Sequence, residues 1–146
     1  TLTSHSSWVM FLMDKEQKDK VKHLVLDDKG KVDFGKEKTL LGDAWQNATE
    51  KEIQIYEEKA KAQNKINLQE WRNYYQNIDV DSEEIFKLLK SEAHISVLTK
   101  SDARHFIGLI GLASEIDQAT SLTILRHRLT KYFEQLKESK ETQMSD

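Results

Sequence analysis

Val32-Asp33-Phe34-Gly35-Lys36-Glu37-Lys38-Thr39-Leu40-Leu41-Gly42-Asp43-Ala44-Trp45 carries the start and the buried side of a helix in one stretch. Asp33 is an N-cap residue: its carboxylate can take an amide of the first turn. Leu40, Leu41 and Trp45 fall on one side at helical spacing. Gly42 is unfavourable inside a helix by roughly 1 kcal/mol against alanine. A close contact with another helix is therefore expected at that point. Phe34 stands between Asp33 and Gly35, where an aromatic either closes a small core or is held out in solvent.

Upstream, Trp8, Phe11 and Leu12 share a face at i, i+3, i+4 spacing, which predicts a first helix from Trp8 to about Leu26. Its opposite face is the polar run Asp14 to Lys20. Asp27-Asp28-Lys29-Gly30 reads as a turn in which Gly30 can take positive φ. Downstream, Thr49-Glu50-Lys51-Glu52 is a capping box, and the helix behind it runs to about Tyr75. Ile53, Tyr56 and Ala60 mark its buried stripe. Leu68, Trp71 and Tyr75 lie too far along for two short helices to cover, so they need another element.

The rest of the chain is also helical in pattern. It has no proline and 5 glycines, and Lys, Glu, Gln and Leu are abundant. Asn77–Ser82 is polar and acidic and reads as a linker. Ile85, Phe86, Leu88 and Leu89 mark a short helix, and Thr99 or Ser101 caps one carrying Phe106, Ile107, Leu109 and Ile110. Leu122, Leu125, Leu129, Phe133 and Leu136 form a regular stripe over about Gln118–Lys140. The tail from Glu141 is expected to be disordered. Two domains follow, 1–76 and 77–146.

Composition narrows the function classes. The 146 residues contain no cysteine, which excludes disulfides, cysteine zinc sites and thiol catalysis. No apolar run is long enough for a bilayer, and the first residues lack the pattern of a signal peptide. His5, His23, His94, His105 and His127 are scattered, without metal-ligand spacing. No nucleophile elbow or phosphate-binding glycine loop is present. The expected protein is non-catalytic, with no cofactor and no metal. Its net charge is −3: residues 1–76 hold 13 basic and 13 acidic side chains, and residues 77–146 hold 9 and 12. A dedicated DNA binder usually has a basic excess.

Three pieces, Ser6-Ser7-Trp8-Val9-Met10-Phe11, the Val32–Trp45 stretch and Tyr56 to Ala62, resemble in order the HMG box. The resemblance covers about residues 6–66. It implies a three-helix module that inserts apolar side chains into the DNA minor groove. On the family's pattern, Phe11, Trp45, Tyr56 and Ala60 are core. Val9, with Met10 beside it, stands at the first wedge position and Phe34 at the second. Lys15, Lys18, Lys22, Lys36 and Lys38 then lie near phosphates. The chain departs from the family in several places. Thr1-Leu2-Thr3-Ser4 replaces a basic, proline-containing strand. Gln46, Ile53 and Asn64 stand where lysine is frequent, and Asn67 where a tyrosine is expected. Each lost lysine removes a phosphate contact and its counterion release.

Arg126-His127-Arg128 with Lys131 is the only basic cluster of the second half. It reads either as the recognition helix of a homeobox-like trihelical unit over about 83–140 or as a solvated helix face. The expectation is an all-α protein, an HMG-box-like module followed by a small helical unit packed on the long third helix. The function expected is nuclear, chromatin-associated contact with double-stranded DNA, weak and sequence-tolerant. The alternative is an accessory subunit of a multi-protein DNA-modifying or remodelling complex, for example a DNA methyltransferase assembly, with protein partners and little DNA binding of its own.

Overall fold

A computed structural model describes residues 2–144, with side chains to residue 142. The protein is all-α, and no β-strand occurs among the described residues. Among the described residues eight α-helices follow one another: α1 Ser7–Met13, α2 Lys15–Val25, α3 Phe34–Gln46, α4 Glu50–Gln76, α5 Ser82–Leu89, α6 Glu92–Ile95, α7 Lys100–Leu109 and α8 Leu122–Met144. A 3₁₀ turn, Ala113–Glu115, lies between α7 and α8. No helix among the described residues is long and apolar enough to cross a membrane.

Two compact units divide the chain within α4. The N-terminal unit is Ser4–Ile66. The C-terminal unit takes Asn67 onward together with Leu2 and Thr3. The division therefore falls at 66/67, whereas the expected domain ended at 76. The reason is that Trp71 and Tyr75 pack into the C-terminal core.

The N-terminal unit holds four helical pieces where three were expected. The helix predicted from Trp8 to Leu26 is broken at Asp14, whose extended backbone (φ −70°, ψ 117°) ends α1 and starts α2. Asp14 accepts the Glu16 amide as a cap, and the Tyr56 hydroxyl donates to its other oxygen at 2.5 Å. The local cap, Asp14 accepting the Glu16 amide, competes with a continuing helix at this point. The unit's core is aromatic: Phe11, Leu41 and Tyr56 are buried, with Trp8, Met10, Leu12, Val21 and Trp45 packed around them. Phe11 lies 5.1 Å from both Trp45 and Tyr56 between ring centroids, the Tyr56 pair edge-to-face.

Local signals in this unit act as the sequence suggests. Gly30 takes φ 76°, and Asp27 accepts the amides of Lys29 and Lys31, both at 2.9 Å. A single antiparallel bridge, Leu26 to Val32, closes this turn. Asp33 caps α3 by accepting the Lys36 amide, and Thr49 accepts the Glu52 amide at 3.2 Å. Gly42 faces Trp8, but a Cβ there would sit 3.9 Å from the indole, at ordinary contact distance.

In the C-terminal unit α8 is the central element, packed by α5, α6 and α7. Ile85, Leu89, Ile95, Ile107, Leu125 and Leu129 are its largest fully buried side chains. Residues 67–76 of α4 add Trp71, Leu68 and Tyr75. Gly108 is required at the α4 to α7 contact, because a Cβ would overlap the Tyr75 ring. α8 begins at Leu122, four residues after the expected Gln118. Asp117 holds a turn by accepting the Ala119 amide, and Ser121 accepts the Ile124 amide. The tail expected to be disordered from Glu141 is helical to Met144, in keeping with its helix-favouring Glu, Gln and Met. Residues 145 and 146 lie outside the described residues.

Candidate nucleic-acid interface

The N-terminal unit gathers Phe34 and three of the five predicted lysines on one surface. Lys15, Lys18 and Lys22 recur at i, i+3, i+7 and so share a face of α2. The turn Asp27–Gly30 and the Leu26–Val32 bridge return the chain, and Asp33 then launches α3 with Phe34 as its first residue. The result is a shallow cavity of about 250 Å³ lined by Lys15, Lys18, Lys22, Val32 and Phe34, with the carboxylates of Asp19 and Glu37.

Phe34 is 77% exposed. The reading in which it closes the core is thereby corrected: the aromatic core of this unit is filled without it. A cap residue fixes the backbone beneath it, so its direction is set by α3. Lys36 and Lys38 are exposed on α3 but do not line the cavity. The amide end of α3 is itself partly occupied, since Asp33 takes the Lys36 amide. An anion here would have to be held chiefly by the lysine side chains.

The first wedge position is different. Ser6 caps α1 by accepting the Val9 amide at 3.2 Å. Val9 is half-buried, and Met10 is half-buried against the aromatic core. Neither joins Phe34 in the cavity. Much of Met10 is thus structural, which was not legible from its place beside Val9.

Asp14 is the N-cap of α2, the helix that carries these lysines. The hydrogen bond from Tyr56 holds its carboxyl below the usual carboxylate range, helped by the Glu16 amide and by Lys59 at 3.5 Å. Burial, and then the bond to Asp14, push the Tyr56 hydroxyl up. Gln17 donates to the same hydroxyl at 3.0 Å. The Asp14 break sets the start of α2, which carries the lysines.

The second basic cluster does not form an open patch. Arg126 donates from Nε and a terminal nitrogen to the Leu98 carbonyl at 3.2 and 2.7 Å. Arg128 pairs with Glu115 at 3.2 Å. Only Lys131 of the three predicted cations is exposed without such a tie among the described residues. Arg72 and Arg104 act similarly: Arg72 donates to the carbonyls of Ala113 and Ile116, Arg104 to those of Leu2 and Gln118. In this unit arginines tie down the connecting segments by donating to backbone carbonyls there.

Among the described residues no group of three His, Asp or Glu side chains is placed to hold a metal ion. No family model, no curated protein and no solved structure matches the chain.

Proposed function

We propose that this chain is a non-catalytic, chromatin-associated nuclear protein whose N-terminal unit makes weak, sequence-tolerant contact with the DNA minor groove, in the manner of a divergent HMG box. The observation that carries the reading is Phe34: 77% exposed, first in its helix, beside a row of lysines. A wedge must be apolar, exposed and held at a helix end, with cations in reach of the phosphates. Lys15, Lys18 and Lys22 would contact the backbone, and Lys36 and Lys38 would add charge from α3. Val9 is a lesser contact and Met10 a mainly structural one.

The charge of the unit limits the affinity expected. Ser4–Ile66 holds 12 lysines against 12 carboxylates. Binding by the chain alone is expected on the micromolar scale, about that of non-specific binders, and to fall steeply with salt. A salt-titrated binding assay with linear and pre-bent duplexes tests the proposal. Preference for pre-bent DNA supports it.

A second reading follows from the same neutrality and from exposed apolar side chains at Met13 and Leu24. The box would then serve protein contacts in an accessory subunit of a DNA-modifying assembly. No binding to either duplex at low salt, with co-purification of a stable protein partner, would replace the first reading with this one.

A further inference from the structure

We propose that the C-terminal unit carries a peptide-docking groove that the chain's own Leu2 and Thr3 occupy, and that its partner is a leucine-bearing segment of another protein with a cationic side chain on either side. The groove lies wholly in this unit and does not depend on the DNA-binding proposal. Leu2 and Thr3 belong to no helix, yet Leu2 is 4% exposed and sits in the core that contains Trp71. Side chains hold their backbone, as in a bound peptide. Arg104 of α7 donates to the Leu2 carbonyl at 3.2 Å, and Asn67 of α4 donates to the Thr3 carbonyl at 3.3 Å. Consecutive carbonyls of an extended backbone point to opposite sides, so these two bonds place the segment between the two helices. Among the described residues no backbone–backbone hydrogen bond reinforces it. Contacts of this kind accept any backbone, and the buried leucine supplies the selectivity.

The occupant fits incompletely. Arg104 Nε is buried and has no acceptor among the described residues. Arg126, in the same unit, gives both Nε and a terminal nitrogen to one carbonyl, at 3.2 and 2.7 Å. The Leu2 carbonyl takes only a terminal nitrogen of Arg104, and a buried donor left unpaired is unfavourable. The groove is also longer than its occupant. Open space of about 440 Å³ adjoins Thr3 and about 280 Å³ adjoins Leu2, and Trp71 and Tyr75 border both. These two rings are a packed floor, with Tyr75 fixed by His105 at 2.6 Å and seated against Gly108.

What the two spaces offer a ligand is charge. Glu70 stands in the first and Asp102 in the second, both exposed and in no ion pair among the described residues. Arg104 borders the second space too, but its terminal nitrogens are engaged by the Leu2 and Gln118 carbonyls. The unit as a whole holds 10 basic against 13 acidic side chains, which suits a cationic partner. A longer segment with the same leucine therefore gains two ion pairs that Leu2 and Thr3 do not make. Leu2 and Thr3 act as an intramolecular competitor, and the apparent affinity for the partner falls with the fraction of time they leave the groove.

The test is a titration of the full chain with the peptide Lys-Thr-Leu-Thr-Lys, a form with glutamates for the lysines, and a form with aspartate for the leucine. The indole N–H resonance of Trp71 is the reporter. Leu2→Ala, which empties the leucine seat, should bind the lysine-flanked peptide about 10-fold or more tightly than the parent does. The aspartate form should not bind. Glu70→Lys combined with Asp102→Lys, both at exposed positions, should leave the melting curve unchanged and turn the preference to the glutamate-flanked peptide. Equal binding of the lysine-flanked peptide by parent and Leu2→Ala, full binding of the aspartate form, or no Trp71 shift in any variant at millimolar peptide would overturn the proposal. So would loss of cooperative melting in Leu2→Ala, because a segment required for folding is not a releasable occupant. A dimer of the parent in sedimentation that Leu2→Ala abolishes would make residues 2 and 3 of a second copy the occupant, in place of another protein.

Discussion

Tyr56 donates its hydroxyl to Asp14 at 2.5 Å, across 42 residues of sequence, and Asp14 is the residue at which α1 gives way to α2. Charge-assisted hydrogen bonds contribute about 1.5–3 kcal/mol. Tyr56→Phe should therefore lower stability by about 2 kcal/mol in urea unfolding. Asp14→Asn keeps a capping side chain and should cost less. The pH dependence follows from the directions of the two shifts. The Asp14 carboxyl is depressed in the folded state, so its contribution is fully present above the unfolded value near 3.9 and is lost as pH falls through the folded value. The Tyr56 hydroxyl is raised, so its contribution is present below about 10 and is lost as pH rises through the folded value. Tyr56→Phe should flatten both limbs of the stability profile. A variant with the parent's acid limb would show that Asp14 draws its depression from elsewhere.

Trp45 joins Trp8, Phe11 and Tyr56 in one aromatic cluster but is only half-buried. Trp45→Ala should cost about 3 kcal/mol, the lower end for truncating a large aromatic. Thermal unfolding measures it, and a midpoint within a few degrees of the parent would remove Trp45 from the core.

Two glycines inside helices should respond in opposite directions. Gly42 has room for a Cβ at 3.9 Å from Trp8, so Gly42→Ala should stabilise by about 0.5–1 kcal/mol through helix propensity. Gly108 has none, because the Tyr75 ring fills the space. Gly108→Ala should destabilise by about 1–3 kcal/mol through overpacking. Calorimetry of both variants checks the pair, and equal effects would mean that the Tyr75 ring yields freely.

Phe34→Ala separates binding from folding. The side chain buries little in the free protein, so its melting curve should match the parent within about 0.5 kcal/mol. Affinity for pre-bent DNA should fall, since base–aromatic stacking contributes about 1–3 kcal/mol. Lys18→Ala should lower the slope of log affinity against log salt by about one unit while leaving the preference for bent DNA. Unchanged bent-DNA preference in Phe34→Ala would remove the wedge.

Features whose cause lies a few residues away were legible in the sequence. Asp33, Thr49 and Thr99 each bond an amide three residues on, and Gly30 closes a turn held by Asp27. The apolar stripe of α8 was legible because its period is a property of the helix alone. What escaped depends on distant partners. The second tie on Asp14 is made by Tyr56, the need for Gly108 by Tyr75, and the quieting of Arg126 by the Leu98 carbonyl. Phe34 could be placed but not resolved between core and surface, since that depends on whether Trp8, Phe11 and Trp45 fill the core without it.

The turn between α2 and α3 has a bearing on how fast and how selectively Phe34 could act. Asp27 and Asp33 fasten the backbone on either side of Val32 before any ligand arrives. The loss of backbone freedom is met at folding and not at association. Loosening the turn, as in Asp27→Ala, would leave every contacting atom of the surface in place yet weaken binding, because a wandering aromatic must be ordered anew at each encounter. On the proposed DNA contact, affinity would then rest in part on two aspartates that no ligand need touch.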